Sequence, residues 1–455
     1  MNAGSTKPKL AIVSTFDELC GIAAYTRFLI RQLESVFEVT VFDLDQYLLL
    51  NKHGHVRKLG DQHIREIADQ LQHFDWVNIQ LEHGTLGRDI KDIYRRFKLL
   101  VSAAPRISIT FHTVLEPQSF QFRSFAKELA KLKLQYAFDR VVEHARNKVL
   151  ANGIYKLLRK VQSIKPLSII VHNRRDMRLM KYVNQFQHVY DHPLSFLSQS
   201  DVRAIRARTQ KSDFVLLANV PEDAKLIGVF GFFGSYKGFD TAIRAMHYLP
   251  QDYHLLIFGG VHPNEIKLRQ SLDPYIELLL EEACIDVAVL KETMGKQNSV
   301  AALTPGASHA RELRERRLKD LTGRIHFMGS LPDEQFTSGM AICDTVVLPY
   351  QEVGQSSSGP MSMAVEMGCR IVATRTHAFL QFARYYPGVI EFFDIGNYVD
   401  LAERLKSPST SSSSGAEMSH GSESNIQMYV EAHSMVPRGA DTVAVSHALP
   451  AINKG

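Results

Sequence analysis

Apolar, β-branched runs alternate with segments of helical periodicity along most of this chain. Each run is bounded by turn residues and followed by a stretch whose apolar residues recur every three to four positions. Because strands connected through helices pair in parallel, the alternation predicts doubly wound α/β sheets that bind ligands at the carboxyl ends of their strands. The strand patterns lie at 9–16, 39–42, 76–80, 107–111, 167–171 and 188–190, and then at 226–230, 254–258, 325–328, 345–348, 371–373 and 389–393.

Two such series in 455 residues predict two Rossmann-like domains that face each other across a cleft. The connection between residues 260 and 325 is longer than one helix needs, so we expect an insertion within 285–310. After Ser407 the chain is serine-rich with little to bury, although 426–432 and 442–449 are apolar enough to dock. We expect a first domain at 1–195, a connection at 196–224, a second domain at 225–406 and a disordered tail at 407–455.

The composition is that of a globular protein, with 45% hydrophobic and 22% charged residues. Its four cysteines lie far apart and form no CxxC pair, so we expect neither a zinc site nor a disulfide framework. No apolar run reaches the length of a membrane span, and no signal-peptide core precedes the first strand. We therefore expect a cytoplasmic protein, and from the mild net charge of +5 no nucleic-acid partner.

The segment 127–165 concentrates positive charge. It holds ten Lys or Arg residues and three acidic ones. Such a run is most often the solvated face of a helix. It could also bind a phosphate-bearing acceptor or the anionic inner face of a membrane, which would make the protein peripheral.

The stretch from Thr345 to Thr376 predicts strand, loop, helix and strand in succession. Pro360 in the first helical turn and Gly368 after the last one are typical helix boundaries, so the helix should begin near residue 358 or 359. A helix that starts beyond the carboxyl end of a strand presents free N–H groups and its positive dipole end to the crevice there. This geometry favours an anion site.

Ser356, Ser357 and Ser358 add hydroxyls to this helix start, and Gly359 allows a close approach of the backbone. Glu366 follows a little over two helical turns later and can face the same crevice. The alternative is a capping serine run with a solvated glutamate, since helix starts favour serine everywhere.

Seven motifs in order resemble the GT-B glycosyltransferases, and specifically the retaining enzymes of glycosyltransferase family 4. The resemblance covers residues 9–406 and is clearest in the second half of the chain. The first half contributes CGIAAYT (20–26), NIQLEHG (78–84) and ITFHT (109–113). The second half contributes GVFGFFGSYKGFDTAIRA (228–245), HLLIFGG (254–260), IHFMGSLPDEQF (325–336) and the LPY, QSSSGP and EMG of the stretch 345–376.

The resemblance implies roles for individual residues around a nucleotide-sugar donor. Lys237 matches the lysine that holds the donor diphosphate, and Gly21 matches the glycine whose loop presents N–H groups to it. Gly329 and Leu331 stand where the base packs, and Glu366 matches the carboxylate that binds the ribose. Ser356, Ser357, Ser358 and Gly359 would complete the donor site.

His112 matches the histidine that lines the reacting centre, and with Lys237 and Ser358 it forms the group to which we assign catalysis. We assign Glu82 and His83 to the acceptor side. Two positions depart from the family pattern: Ser358 replaces the first glutamate of its Glu-x7-Glu motif, and Phe232 replaces an arginine that also binds phosphate. Each departure removes a charged contact with the donor.

The activity that the resemblance implies is retaining transfer of a hexose from a nucleoside-diphosphate sugar to a hydroxyl of a glycan or lipid-linked acceptor, in polysaccharide biosynthesis. The departing phosphate is thought to take the acceptor proton, so no separate base is needed. No DxD-type acidic pair lies near the motifs, and we expect neither a metal nor another cofactor. Two alternatives are a non-catalytic nucleotide-sugar-binding protein and a nucleotide-sugar epimerase of the same fold.

Overall fold

The computed structural model describes residues 7–115, 134–261, 273–283, 321, 323–409 and 420–435, with only the backbone described for 134–147. The chain divides into two compact units. The first unit holds the residues up to Pro193 and those from Ser422 onward, and the second holds Leu194–Gly421. The predicted insertion at 285–310 and most of the basic segment 127–165 lie outside the described side chains.

The first unit is built on a six-stranded parallel sheet with the order β2-β1-β3-β4-β5-β6. Strands β3, β4 and β5 are buried along their whole length, as expected for a parallel sheet that is covered on both faces. The strands are β1 (Lys9–Ser14), β2 (Glu38–Asp43), β3 (Trp76–Leu81), β4 (Ile107–Phe111), β5 (Leu167–Val171) and β6 (Val189–Asp191).

Helices flank this sheet and bury their apolar faces on it. Phe97 and Leu100 of one helix and Ile154 and Leu158 of another are fully buried in the core of this unit. The helices are α1 (Gly21–Leu33), α2 (Gln46–Leu49), α3 (Gly54–Leu71), α4 (Ile90–Ala103), α5 (Leu134–Gln162) and α6 (Arg174–Arg178).

A helix from the predicted tail also belongs to the first unit. Residues Ser422–Ser434 form a helix that contacts α1, β4, β5 and β6. Its residues Met428, Tyr429 and Ala432 are fully buried, because the apolar segment 426–432 lies on the sheet. For these residues the prediction of a disordered tail is wrong.

The second unit contains another six-stranded parallel sheet, with the order β12-β11-β10-β7-β8-β9. The strands are β7 (Lys225–Phe230), β8 (Tyr253–Phe258), β9 (Ile325–Gly329), β10 (Thr345–Leu348), β11 (Arg370–Thr374) and β12 (Ile390–Phe393). The helices are α7 (Gln199–Arg208), α8 (Phe239–Ala245), α9 (Pro274–Glu282), α10 (Asp333–Ala341), α11 (Gly359–Glu366), α12 (His377–Phe382) and α13 (Tyr398–Lys406), and the helix of the first unit from the tail is α14 (Ser422–Ser434).

Each sheet has one place where the winding of the chain reverses. In the first unit this place lies between β1 and β3, and in the second it lies between β7 and β10. The loops that leave such a strand pair diverge to opposite faces of the sheet and leave a crevice where α/β proteins bind ligands. The predicted site residues are therefore expected at these two crevices.

Candidate functional site

In the second unit, the loop after β7 carries Lys237 and ends in a tight turn. Gly238 has a left-handed backbone (φ 66°), and a Cβ atom there would lie 2.0 Å from the carbonyl oxygen of Pro349. Glycine is therefore required where this loop packs against the loop after β10. The contact between the two loops buries the side chain of Lys237, which is 6% exposed.

The Lys237 ammonium lies among aromatic rings. Its Nζ donates a hydrogen bond to the Tyr350 hydroxyl at 2.7 Å and stands 3.9 Å from the centroid of that ring. Burial lowers the pKa of Lys237, and the hydroxyl of Tyr236 partly opposes this shift. Among the described residues no carboxylate forms an ion pair with Lys237. A buried cation without a counter-ion is an electrostatic match for an anion.

Tyr350 connects Lys237 to the start of helix α11. The Ser358 hydroxyl donates to the Tyr350 oxygen at 3.3 Å and accepts from the Met361 N–H at 3.5 Å as the helix N-cap. Burial raises the pKa of the Tyr350 phenol, which keeps it protonated. The structure thus brings Lys237 and Ser358 together through a residue that the sequence analysis quoted in its LPY motif but did not assign to the site.

The predicted helix start is confirmed, since α11 begins at Gly359 behind its cap Ser358 and ends before a left-handed Gly368. Ser356 and Ser357 precede it in half-buried positions. Gly329 ends β9 with φ 79° and is exposed, and Leu331 follows in a half-buried position. The structure places these residues at the carboxyl edge of the second sheet, and their contacts with a donor remain predictions.

The Glu366 carboxylate binds backbone N–H groups of the second unit. It accepts the backbone N–H of Phe196 at 2.9 Å and that of Leu197 at 2.9 Å. Burial raises the pKa of Glu366 to about 7, against the opposing effect of these N–H groups. Both oxygens are therefore engaged with the backbone that precedes α7, and ribose binding by Glu366 stays a prediction.

In the first unit, Gly21 is the first residue of α1 and follows the loop after β1. The Cys20 thiol caps this helix by accepting the Ala23 N–H at 3.4 Å. A Cβ atom at Gly21 would meet no described atom within 4 Å. The helix start is thus open on this side, as a close approach of a ligand to its N–H groups would require.

His112 directly follows β4 and is held in a neutral form. Its Nε2 lies 2.8 Å from Oε1 of Gln80, and its ring meets the Tyr25 ring edge-on at 5.4 Å. The ring of His172 is 5.2 Å away. Burial, together with the charge that His172 would carry, holds the pKa of His112 well below its ordinary value.

Sequence reasoning missed two further histidines at this edge. His172 directly follows β5 and His192 directly follows β6, just as His112 follows β4. The Nδ1 of His172 lies 3.2 Å from the His192 carbonyl oxygen, and burial lowers the pKa of His172 to about 4. The sequence does contain a signal for both. His172 follows the strand pattern at 167–171, and His192 follows the pattern at 188–190.

Glu82 and His83 follow β3 at the same edge. The Thr113 hydroxyl donates to the Glu82 carboxylate at 2.8 Å, and burial raises the pKa of Glu82. His83 is 7% exposed, and neither ring nitrogen has a hydrogen-bond partner within the described ranges. Burial lowers the pKa of His83 to about 4, so its ring is neutral at pH 7.

The predicted residues thus divide between the two units. Gly21, Glu82, His83 and His112 lie in the first unit, and Lys237, Gly329, Leu331, Ser356, Ser357, Ser358, Gly359 and Glu366 lie in the second. The described residues contain no cluster of three metal-binding side chains and no helix long and apolar enough to cross a membrane.

Solved structures with this architecture include HepE of Anabaena in complex with UDP and glucose, which aligns with a TM-score of 0.54 at 13% identity over 94% of this chain and 99% of its own. Sucrose-phosphate synthase of Thermosynechococcus elongatus aligns with a TM-score of 0.51 at 14% identity, covering 94% of this chain and 97% of its own. The chain has the GT-B fold. The predicted fold class is confirmed.

The same GT-B arrangement occurs in an α,α-trehalose-phosphate synthase (UDP-forming) of Burkholderia xenovorans, at 10% identity and a TM-score of 0.51 over 94% of this chain and 96% of that one. No protein-family model and no curated protein sequence matches the chain. At these identities the comparison establishes the GT-B fold and leaves the activity to be argued from the site.

Proposed function

We propose that this protein is a retaining glycosyltransferase that moves a hexose from a nucleoside-diphosphate sugar to a hydroxyl group. The observation that carries the proposal is the buried Lys237 cation, joined through Tyr350 to the Ser358 cap at the place where the second sheet reverses its winding. Structures of HepE with the same fold contain UDP or UDP-glucose, which supports a uridine nucleotide as the donor to test first.

The proposed chemistry breaks the bond between the sugar C1 and the diphosphate oxygen and forms a bond from C1 to the acceptor oxygen on the same face. Lys237 and the N–H groups at the start of α11 would stabilise the charge that develops on the departing diphosphate. The acceptor proton would go to that diphosphate. No step of this proposal requires a metal or another cofactor.

The first unit would contribute neutral hydrogen-bonding groups. Because the pKa values of His83 and His172 are lowered to about 4, these rings are uncharged at neutral pH, and burial also lowers the pKa of His112. Neutral imidazoles and the Glu82 carboxylate suit the hydroxyl groups of a sugar. We propose His112 at the reacting centre, and Glu82 and His83 on the acceptor side.

The first experiment compares nucleotide sugars. The purified protein would be incubated with UDP-, GDP-, ADP- and dTDP-sugars without added metal, and thermal stabilisation would be followed together with release of nucleoside diphosphate. We expect one donor to stabilise the protein and to be hydrolysed slowly. The Lys237→Ala variant should lose both effects, whereas Lys225→Ala, an exposed lysine of the same unit that pairs with Asp252, should retain them.

Stabilisation without turnover, also after acceptors are supplied, would favour the non-catalytic binding protein. Conversion of the donor sugar without transfer would favour the epimerase. No response to any nucleotide sugar would contradict the site assignment in the second unit.

The acceptor proposed is a glycan or a lipid-linked glycan in polysaccharide biosynthesis, with the basic segment 127–165 at an anionic membrane surface. The ten cationic residues of that segment support its proposed contact with an anionic surface. Reversing several of these charges should reduce sedimentation with anionic vesicles while donor binding is unchanged. Equal sedimentation of the variant would contradict membrane association.

A further inference from the structure

Polar side chains line one face of the two central strands in the first unit. Asn78 and Gln80 alternate along β3, and Ser108 and Thr110 alternate along β4. The parallel register pairs Asn78 with Ser108 and Gln80 with Thr110, and each of the four side chains is at most 1% exposed. Burying polar groups in a parallel sheet costs free energy unless they are hydrogen-bonded, so these four side chains are expected to have hydrogen-bond partners.

Helix α14 supplies part of the hydrogen bonding. The Tyr429 hydroxyl lies 3.3 Å from the Thr110 oxygen and accepts from Nε2 of Gln80 at 3.4 Å. Nε2 of His433 lies 2.9 Å from the Ser108 oxygen. The end of the described chain therefore completes a network that continues through Gln80 to His112.

In the structure the carboxamides of Asn78 and Gln80 are oriented so that nitrogen faces the hydroxyls of Ser108, Thr110 and Tyr429. Asn78 donates from Nδ2 to the oxygens of Ser108 at 2.8 Å and Thr110 at 3.1 Å, so its Oδ1 is the atom that meets Gln80. Gln80 donates from Nε2 to this Oδ1 at 2.5 Å and consequently turns Oε1 toward His112. A carboxamide oxygen has no proton to give, so the His112 Nε2 must be the donor in the 2.8 Å contact.

A neutral imidazole carries one proton. With that proton on Nε2, the Nδ1 of His112 has a lone pair and can only accept a hydrogen bond. A sugar hydroxyl that donates a hydrogen bond is the matching partner. The other tautomer would offer a donor at this position instead.

We propose that Gln80 is a positioning residue that, held by Asn78 and by Tyr429 of α14, fixes His112 as its Nε2–H tautomer so that Nδ1 accepts a hydrogen bond from a substrate hydroxyl. The inference rests on the proposed function for the identity of the substrate. The tautomer follows from the orientation of the Asn78 and Gln80 amides and is measurable without any substrate.

The direct test is nitrogen NMR of the full chain labelled with ¹⁵N-histidine at pH 7.5, with the His112 signals assigned by their loss in His112→Asn. We expect a protonated Nε2 and a bare Nδ1 in the wild type. In Gln80→Leu, which lacks the acceptor, the signals should move to a mixture of tautomers. Gln62→Leu, an exposed glutamine of the same unit, should match the wild type.

Kinetics supply a second readout. Gln80→Leu should lower kcat/KM about tenfold, the loss expected for one hydrogen bond, while donor stabilisation through Lys237 is unchanged. Gln80→Glu places a carboxylate against the ring and favours its doubly protonated form, so the acid limb of the pH–rate profile should move up by about one unit. Within the described part of the chain, the other ionisable groups that face this ring are His172, Tyr25 and, through Gln80, Tyr429.

Tyr429→Phe keeps the fold of α14 and removes only the hydroxyl, so it should show a smaller shift toward the mixed tautomer. A wild-type His112 protonated on Nδ1, or an unchanged tautomer and rate in Gln80→Leu, would overturn the proposal. If the wild type transfers no sugar, the proposed function fails, while the tautomer difference between wild type and Gln80→Leu still decides the role of Gln80.

Discussion

The carboxyl edges of the two sheets share an architecture and differ in charge. In the first unit the edge presents neutral imidazoles, because burial keeps the pKa values of His83 and His172 near 4. In the second unit it presents the ammonium of Lys237 against aromatic rings and hydroxyls. We therefore propose that the two sheets bind different groups at their carboxyl edges, hydroxyl groups in the first unit and an anion in the second, since recognition depends on the residues that follow each strand.

The largest effect is expected from removing the buried cation of Lys237. Lys237→Met keeps the volume of the side chain and abolishes its charge, so donor turnover should fall by about 10²- to 10³-fold, the usual loss for an electrostatic contact to the developing charge. The free energy of unfolding should rise, because a cation without a counter-ion no longer has to be buried. Steady-state kinetics and urea unfolding measure the two effects.

If turnover is unchanged in Lys237→Met, the charge of Lys237 does not act on the donor, and the proposed difference between the two carboxyl edges is contradicted. A fall in stability together with turnover would show that Lys237 mainly supports the loop. Lys225→Met serves as the matched control in the same unit.

The pH dependence of stability should differ between the units. His83, His172 and His433 have folded pKa values of about 4, below the ordinary value of 6.5, so the unfolded chain binds more protons between these values. The first unit should therefore lose stability as the pH falls from 6.5 to 4, by on the order of 10 kcal/mol if all three shifts act in full. Hydrogen exchange, corrected for its intrinsic pH dependence, would report this loss in β3 to β5.

The raised pKa of Glu366 predicts the opposite pH dependence of stability for the second unit. Its folded pKa of about 7 lies above the ordinary 4.5, so the folded unit binds the extra proton and loses stability as the pH rises from 4.5 to 7. In Glu366→Gln this pH dependence of the unfolding free energy, on the order of 3 kcal/mol between pH 4.5 and 7, should disappear. The same hydrogen-exchange series, read in α7 and α11, provides the measurement.

Glu366→Gln also separates two roles of this carboxylate. If it only anchors Phe196 and Leu197, donor affinity should be unchanged above pH 7. A weaker donor affinity at unchanged stability would support the predicted ribose contact.

The smallest effect is expected at Ser358. Ser358→Ala removes a helix cap and should cost about 1 kcal/mol of stability, with a few-fold loss of turnover because Tyr350 loses a hydrogen-bond donor. Ser198→Ala removes the cap of α7, which lies outside the proposed site, and should cost similar stability without the kinetic loss. Equal turnover in both variants would exclude Ser358 from the site.

The fold could be predicted from local patterns. Each strand pattern of the sequence corresponds to a strand of the structure, and Pro360 and Gly368 mark the ends of α11 as helix punctuation requires. The motifs predict roles for Lys237 and Ser358, and the structure joins the two residues through Tyr350. Tyr350 was not assigned, because a phenol that joins two loops leaves no periodic signal.

Long-range partners could not be predicted. The contacts of Glu366 are backbone N–H groups 169 and 170 residues away, and backbone groups have no sequence signature. The serine content predicts a disordered tail, whereas α14 buries its apolar residues on the sheet and hydrogen-bonds through Tyr429 to Gln80, 349 positions away. The composition of a segment shows how much apolar surface the segment can bury. It does not show which other part of the chain the segment packs against.

The place of α14 in the first unit also has a consequence for biosynthesis. The ribosome must complete all of Leu194–Gly421 before the helix that covers Asn78 and Gln80 emerges. At 5 to 20 residues per second this delay lasts on the order of 10 to 50 s. During that time the nascent first unit exposes an incomplete polar face, so a truncated chain that ends at Pro193 should require chaperones and refold poorly.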